Sequence, residues 1–445
     1  MQGGTFEQGV SKERAGIYFR FYSAAEERAK IGNRGVALLP LSLNWGEPKK
    51  FLEISTPEDV QQVFGTKIDD PVLFMVKEAK KNASKVKVYR VNEGNKATAT
   101  IGELKVEALF GGTKGNEITI VISTNILDST KKDVSTYVNG MRVNLQTVSK
   151  IDELKANKWV AFSGTGDLTN TAGTVLEGGT NGTPTNQDYM DFFAAAEGEH
   201  FDTVGLPVDE EQLKASFVAF IRKVRDEQGR KVKGVLANYP ADYEGIDNVR
   251  NGVVLDNGEI LTPDKAVAWA TGASAGASVT VSNTFKEYEG AVDAYPRLSD
   301  YEVIEGLRNG EYIFVYDMID KVVSVEKDIN SLTTFTEEKN KRFAKNRVLR
   351  VLDGINNDLT RELKIAIKEA KERGVDISVN DDGAAFVKIL CTTYMKALQD
   401  LGGIKNFDSQ ADILVSVHDD DSFDIGIWAQ PVDSAEKFYF NVGVK

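Results

Sequence analysis

Histidine is nearly missing from this sequence: His200 and His418 are the two in 445 residues. Histidine is the commonest acid–base and metal-ligating side chain near neutral pH, so its scarcity leaves little room for that chemistry. His200 follows a helical stretch ending AEGEH, and His418 lies between an alternating strand and an acidic turn. Neither belongs to an HExxH or HxH pattern, so zinc hydrolysis has no support. Cysteine is scarcer still. Cys391 is alone, which excludes an intrachain disulfide framework and a CxxC metal or redox site, and points to folding in a reducing compartment. It sits in the helical apolar pattern FVKILCTTYMKAL and reads as a small core residue. Long apolar runs are also missing. No window approaches the roughly eighteen residues of a membrane span, and MQGGTFEQGV has no basic segment followed by an apolar one, so no secretory signal is expected.

Positive charge is in deficit as well. A net charge of -13 argues against nucleic acid as the main partner, because phosphate binding needs a positive field. The best local exception is KNKRFAKNRVLR, residues 339 to 350. It reads as the solvated face of a helix whose apolar side carries Phe343, Val348, Leu349 and Leu352. The phosphate-loop and nucleophile-elbow patterns are absent too. The glycine-rich stretches GGTKGNE, SGTGD and EGGTNGT contain neither G-x-x-x-x-G-K-[ST] nor a G-x-G-x-x-G between strand and helix, and G-x-S-x-G occurs only within the helical stretch TPDKAVAWATGASAG, not as a strand-to-helix elbow. HDDDSFD, residues 418 to 424, crowds carboxylates without EF-hand spacing and reads as a solvated turn between strands. Carboxylates are abundant, but nothing singles out a glycosidase pair.

What is present is ordinary globular material, 41% hydrophobic and 27% charged, in a length that suggests two to four domains. RGVALLPLSL reads as a buried strand, STPEDVQQVFG and DPVLFMVKEAKKNAS as helices, and KVKVYRV as a strand, which together suggest an α/β layer. From about 93 to 180 the chain becomes short β-rich runs broken by Gly, Asn and Asp, read as an all-β module inserted into the α/β domain. The alternation then resumes. DEEQLKASFVAFIRKVRDEQG places Leu213, Phe217, Phe220 and Val224 at helical spacing before Gly229. From 337 the pattern is mostly helical, read as EEKNKRFAKNRVLRVLDGI, then DLTRELKIAIKEAKERG, then GAAFVKILCTTYMKALQDLGG. The expected organisation is an extended arm at 1–25, an α/β part at 26–92, the β module at 93–180, a central α/β domain at 181–336, an α+β domain at 337–422 and a β arm at 423–445. The fold class is thus mixed α/β and multidomain.

Both ends carry an alternating stretch. AGIYFRFYSAA sets Ile17, Phe19 and Phe21 on one face, and KFYFNVGVK sets Phe438, Phe440, Val442 and Val444 on one face. An unpaired strand exposes N–H and C=O groups along both edges. Such a strand either tucks into its own domain or adds to the sheet of a neighbouring copy. Head-to-tail exchange of arms is a heterologous contact that generates rings or helical filaments.

Three segments together resemble one family. GVALLPLSLNWGEPKKFLEISTPEDVQQVFG looks like the N-terminal segment of contractile-tail sheath proteins, with a strand, a Trp-Gly-Pro-like turn (Trp45, Gly46 and Pro48, with Glu47 interposed), a second strand and a helix. VVSVEKDINSLTTFTEEKNKRFAKNRVLRVLDGINNDL is similar to the family's strand-to-helix segment, with the match running from Asp328 to Thr334. QPVDSAEKFYFNVGV resembles the C-terminal arm. The resemblance covers nearly the whole chain and points to the sheath of a myovirus-type phage or a phage-derived tailocin. It implies a central domain of subtilisin-like topology, an inserted β-sandwich that protrudes outward, and exchanged terminal strands. It further implies a helical homo-oligomer of stacked rings around an inner tail tube, with baseplate and tail terminator proteins as further partners. Contraction would drive the tube through a target envelope. No catalytic residue, metal, cofactor, direct nucleic-acid contact or membrane insertion is implied. The implied location is a virion or tailocin tail assembled in the host cytoplasm. The competing readings are an α/β hydrolase-like enzyme, for which a pocket would join His200 or His418 to a serine and a carboxylate, and an adhesin or binding module with both ends docked into its own chain.

Overall fold

The computed structural model describes Gly32 and residues 34–444; the stretch with Ile17, Phe19 and Phe21 lies outside them. Two compact units are formed. One comprises residues 34–278 and 282–346, the other Val279–Val281 and the chain from Arg347 on, with Gly32.

The larger unit begins with β1 (Val36–Leu41), β2 (Phe51–Ile54), α1 (Pro57–Phe64), α2 (Phe74–Lys80) and β3 (Lys85–Arg90). Helix α1 starts where the sequence signals it: Thr56 and Asp59 form a reciprocal capping box, Pro57 opens the first turn, and Gly65 ends it in the left-handed region. β1 is buried along its length from Ala37, as a strand covered on both faces must be.

After β3 come β4 (Thr98–Ile101), β5 (Leu104–Ala108), β6 (Ile118–Thr124), β7 (Lys132–Val138), β8 (Met141–Val148), β9 (Val160–Ser163) and β10 (Thr171–Val175). They form two antiparallel sheets, β10-β6-β7-β8 and β4-β5-β9. Alternate residues of both, including Leu104, Val106, Ile118, Ile120, Ile122 and Val134, enclose one core, which is the period-two logic of sheets with one wet face.

The chain then returns through α3 (Asn186–Ala196), β11 (Thr203–Gly205), α4 (Glu211–Arg222), β12 (Lys233–Ala237) and β13 (Ile246–Val249). β14 (Gly252–Leu255), β15 (Ile260–Leu261), α5 (Pro263–Gly276), β16 (Ala291–Tyr295), α6 (Asp300–Arg308), β17 (Glu311–Tyr312) and a hairpin of β18 (Phe314–Tyr316) and β19 (Val323–Val325) follow. The main sheet has the order β17-β13-β12-β11-β1-β3-β2. All neighbours are parallel except β2 and β3. One face is covered by α3 and α4, whose Phe192, Phe217 and Ile221 pack with Leu38 and Leu236. Each such side chain contributes about 1.5–3 kcal/mol by leaving water. On the other face Ala37 and Leu39 meet Val76, Ala79 and Ala268 of α2 and α5. Helix α5 is lined with small residues because it lies against backbone: a Cβ at Gly272 would strike the Ala79 carbonyl, and one at Gly276 the Asn82 carbonyl.

The smaller unit corrects two expectations. The segments read as two helices, up to DGI and from DLTREL, form a single 27-residue helix α7 (Asn346–Glu372). Gly354 costs such a helix about 1 kcal/mol relative to alanine, but its bare backbone sits in van der Waals reach of Val279 and the Tyr394 hydroxyl, and packing overrides propensity. The basic stretch at 339–350 is not one solvated helix face either. Asn340 caps a separate 3-10 turn, Lys341–Ala344, so Phe343 precedes the helix, and Arg350 is buried with Nη2 donating to the Val281 carbonyl at 2.7 Å. Helix α8 (Asp381–Asp400) carries buried Cys391, whose thiol is pushed up to about 11 by burial. A two-stranded hairpin, β20 (Ile413–Asp419) and β21 (Ser422–Ile427), closes the unit, with the acidic turn of HDDDSFD at its tip.

Candidate assembly site at the chain ends

An enzyme built on this sheet would hold its ligand outside the carboxyl ends of the parallel strands, where strand order reverses. Here the reversal falls between β1 and β11. On the other side of β1, at the carboxyl end of β3, buried polar groups are paired within the chain itself. Arg90, the last residue of β3, is fully buried; it donates to the Gly46 carbonyl at 2.5 Å, the Gly111 carbonyl at 2.7 Å and the Asn92 side chain at 3.4 Å. Burial pulls its pKa down to about 10, so it stays charged near neutral pH. Asn92, also fully buried, accepts from Leu43 N and donates to the carbonyls of Leu43 and Asn181. These bonds tie both ends of the 93–180 segment to the sheet. Trp45 adds an apolar contact, stacked on Trp159 at 5.2 Å and edge-on to Phe110 at 5.4 Å. Trp159 also overlies Gly65, where a Cβ would strike its ring.

The Asp328–Thr334 run works as a clamp. Asp328 accepts from Asn283 N at 2.8 Å and from Asn346 Nδ2 at 3.0 Å. Asn346 also donates to Asp247, which pairs with Lys233 at 2.7 Å. Burial pushes the Asp247 carboxyl upward against the pull of Lys233. Ser331 donates through Oγ to the Tyr243 carbonyl and through N to the Ile246 carbonyl. Asp242 Oδ1 accepts from Thr333 N, Thr333 Oγ1 and Thr334 N at 2.7, 3.0 and 2.9 Å. Partial burial works against that charge, but the bonds from Thr334 and Thr333 outweigh it and lower the pKa from 3.8 to about 2. The folded-state pKa lies below the unfolded one. The clamp's contribution is therefore complete above about pH 4 and is lost as pH falls towards 2. Thermal melts of the parent and Asp242→Ala should differ most near pH 5–7 and converge below pH 3; a constant difference down to pH 2 would refute the assignment.

His200 and His418 are both exposed, in different units, and neither hydrogen-bonds a serine among the described residues. The C-terminal stretch differs from a half-buried strand. Phe438, Tyr439, Phe440, Val442 and Val444 are 71, 86, 84, 88 and 99% exposed, so both faces of the alternation are in solvent. No ladder includes residues 437–444 among the described residues. The chain just before them is held: Pro431 bridges Ile404, Val432 N donates to Gly403 O, and Arg347 Nη1 donates to Ser434 Oγ at 3.1 Å. The β20–β21 hairpin has no third strand among the described residues. Leu414 and Val417 on β20 are exposed. Arg90, Asn92 and Asp242 were not singled out from the sequence. The strand KVKVYR alternates charged and apolar residues, so its closing arginine carried no distinguishing signal.

Comparison with known proteins agrees along the chain. Residues 34–91 match the N-terminal region of domain III of tail sheath protein Gp18, residues 92–181 the phage tail sheath protein beta-sandwich domain, residues 182–331 the phage tail sheath protein central domain, and residues 338–445 the phage tail sheath C-terminal domain. The phage-like element PBSX protein XkdK of Bacillus subtilis is 54% identical over the full length of both chains. The crystal structure of a sheath tail protein from Listeria innocua is 49% identical, with a TM-score of 0.84 over 94% of this chain and 96% of that one. The helical sheath of the anti-feeding prophage, solved in its contracted state, shares the fold at 10% identity, with a TM-score of 0.56 over 98% of this chain and 99% of that one. The chain belongs to the phage tail sheath protein family, a component of contractile phage and phage-like tails.

Proposed function

We propose that this protein is the subunit of a contractile tube, in which copies stack as helical rings around an inner tail tube and are tied by exchanged terminal strands. The observation that carries this reading is the exposed alternation from Phe438 to Val444, an apolar ribbon with no partner strand among the described residues. A solvent-exposed ribbon of this kind is a template for pairing, and the two-stranded β20–β21 hairpin of another copy has the free edge to receive it. Ile17, Phe19 and Phe21 would act likewise at the other end. The role needs no catalysis, and the buried Arg90 and Asn92 form a plug that ties the 93–180 segment to the main sheet. In this reading residues 93–180 are an inserted β-sandwich facing outward, and the central domain has subtilisin-like topology without its chemistry. The inner tube, baseplate and tail terminator proteins are the partners, assembly takes place in the host cytoplasm, and nucleic acid and membrane are not bound directly. Contraction requires two packings of similar free energy, with the contracted one lower.

Negative-stain electron microscopy of the full chain, across concentrations and with tube protein added, tests the proposal. Hollow tubes or stacked rings are expected. Compact monomers under every condition would overturn it.

A further inference from the structure

Both terminal segments are rooted on one helix. At its start, Arg347 of α7 donates to Ser434 Oγ at 3.1 Å, an anchor shortly before the exposed C-terminal ribbon. Further along, the Asp358 carboxylate accepts Gly32 N at 3.0 Å, and Gly32 is where the described chain begins after the N-terminal stretch. Arg347 and Asp358 are eleven residues apart. At 100° per residue that is about three whole turns, so the two lie on one face of α7, roughly 16 Å apart along its axis.

The Asp358 end is a built contact. Asp358 is buried; Oδ2 also accepts from the Tyr394 hydroxyl of α8 at 3.0 Å, and Oδ1 faces Arg361 Nη1 at 3.4 Å. The carboxylate is therefore held from both sides while it grips one backbone N–H. A Cβ at position 32 would strike Asp358 Oδ1 and Arg361 Nη1, so a side chain there pushes the tips of both aside. A hydrogen bond from a backbone N–H to a carboxylate is among the stronger ones.

We propose that Asp358 is a positioning residue for assembly. With Gly32 it forms a clasp that fixes where the N-terminal arm leaves the subunit, and α7 acts as a rigid spacer setting the distance between the two arm roots. The proposal rests on the arm-exchange reading and deepens it. A strand that must reach a fixed acceptor on a neighbour assembles faster and binds more tightly when its root is held, because less of the ordering cost falls on the binding step.

The test uses the full chain with Gly32→Ala, Asp358→Ala and, separately, deletion of residues 1–25. Asp358→Ala also removes an acceptor of the Tyr394 hydroxyl and lowers stability, whereas Gly32→Ala keeps both side chains and displaces only the tip of the carboxylate. Two quantities are read: hydrogen exchange at the Gly32 position in the unassembled subunit, and the concentration at which tubes appear. Both substitutions should speed that exchange and raise that concentration by about tenfold, the equivalent of one lost charge-assisted bond. Gly32→Ala should lower the melting temperature of the subunit less than Asp358→Ala does. Parent-like exchange and assembly in both variants, with no tubes from the truncated chain, would overturn the clasp and leave arm exchange standing. Normal tubes from the truncated chain would overturn both.

Discussion

Removal of residues 437–445 abolishes tube formation and leaves the unfolding temperature of the subunit unchanged. The two halves of this expectation have one cause. Phe438, Phe440, Val442 and Val444 are exposed in the single chain, so deleting them removes no buried surface from it. The cut is placed at 437 because Pro431, Val432 and Ser434 are engaged with their own unit, and a deletion from 431 would mix a folding defect with an assembly defect. In a tube each ribbon would gain four or five backbone hydrogen bonds at about 0.5–1.5 kcal/mol net apiece, and burial of the two phenylalanines adds about 1.5–3 kcal/mol each. After ordering costs, several kcal/mol per contact remain, and the loss corresponds to at least about a thousandfold in association. Calorimetry and electron microscopy of the same preparation check both halves. Long, regular tubes from the truncated chain would sink the arm-exchange account, and a lowered unfolding temperature would show that the ribbon packs on its own subunit.

Arg90→Ala is the second large effect, and it falls on folding. The substitution leaves the carbonyls of Gly46 and Gly111 without a buried donor, while Asn92 Oδ1 keeps the one from Leu43 N. Each unsatisfied group costs about 1–3 kcal/mol, and water entering the cavity recovers part of that. A loss of about 3–5 kcal/mol is expected in urea denaturation, enough to consume much of the stability of an ordinary domain. Because Arg90 and Asn92 join the 93–180 segment to the main sheet, limited proteolysis should cut the variant first near residues 92 and 181. A change under about 1 kcal/mol, with the parent's cleavage pattern, would mean that the plug is not what couples the two.

Much of this fold is written in local chemistry. The Thr56–Asp59 capping box, the Gly65 stop and the alternation of β5 and β6 are signals of a few residues each, and the structure follows them. The apolar spacing of α4 is of the same kind. The Gly354 region misleads, because a glycine with Asn356 and Asn357 close behind it resembles a helix stop until Val279 and Tyr394 are seen packing against it. KNKRFAKNRVLR misleads for a related reason. Charge density along a sequence does not say that Arg350 turns inward to the Val281 carbonyl.

By itself, the sequence determined the element types, the β-rich character of residues 93–180, the scarcity of catalytic side chains and the two alternating ends, since each is a matter of composition or of periodicity within a short window. Only the tertiary structure decided that Arg90 and Asn92 tie the 93–180 segment to the sheet, that Asp242 clamps Thr333 and Thr334, and that Asp358 holds Gly32, 326 residues away in the chain. Those contacts join polar groups distant in sequence. Polar groups carry no periodic signature, and their partners exist only once the apolar core has brought the strands and helices together.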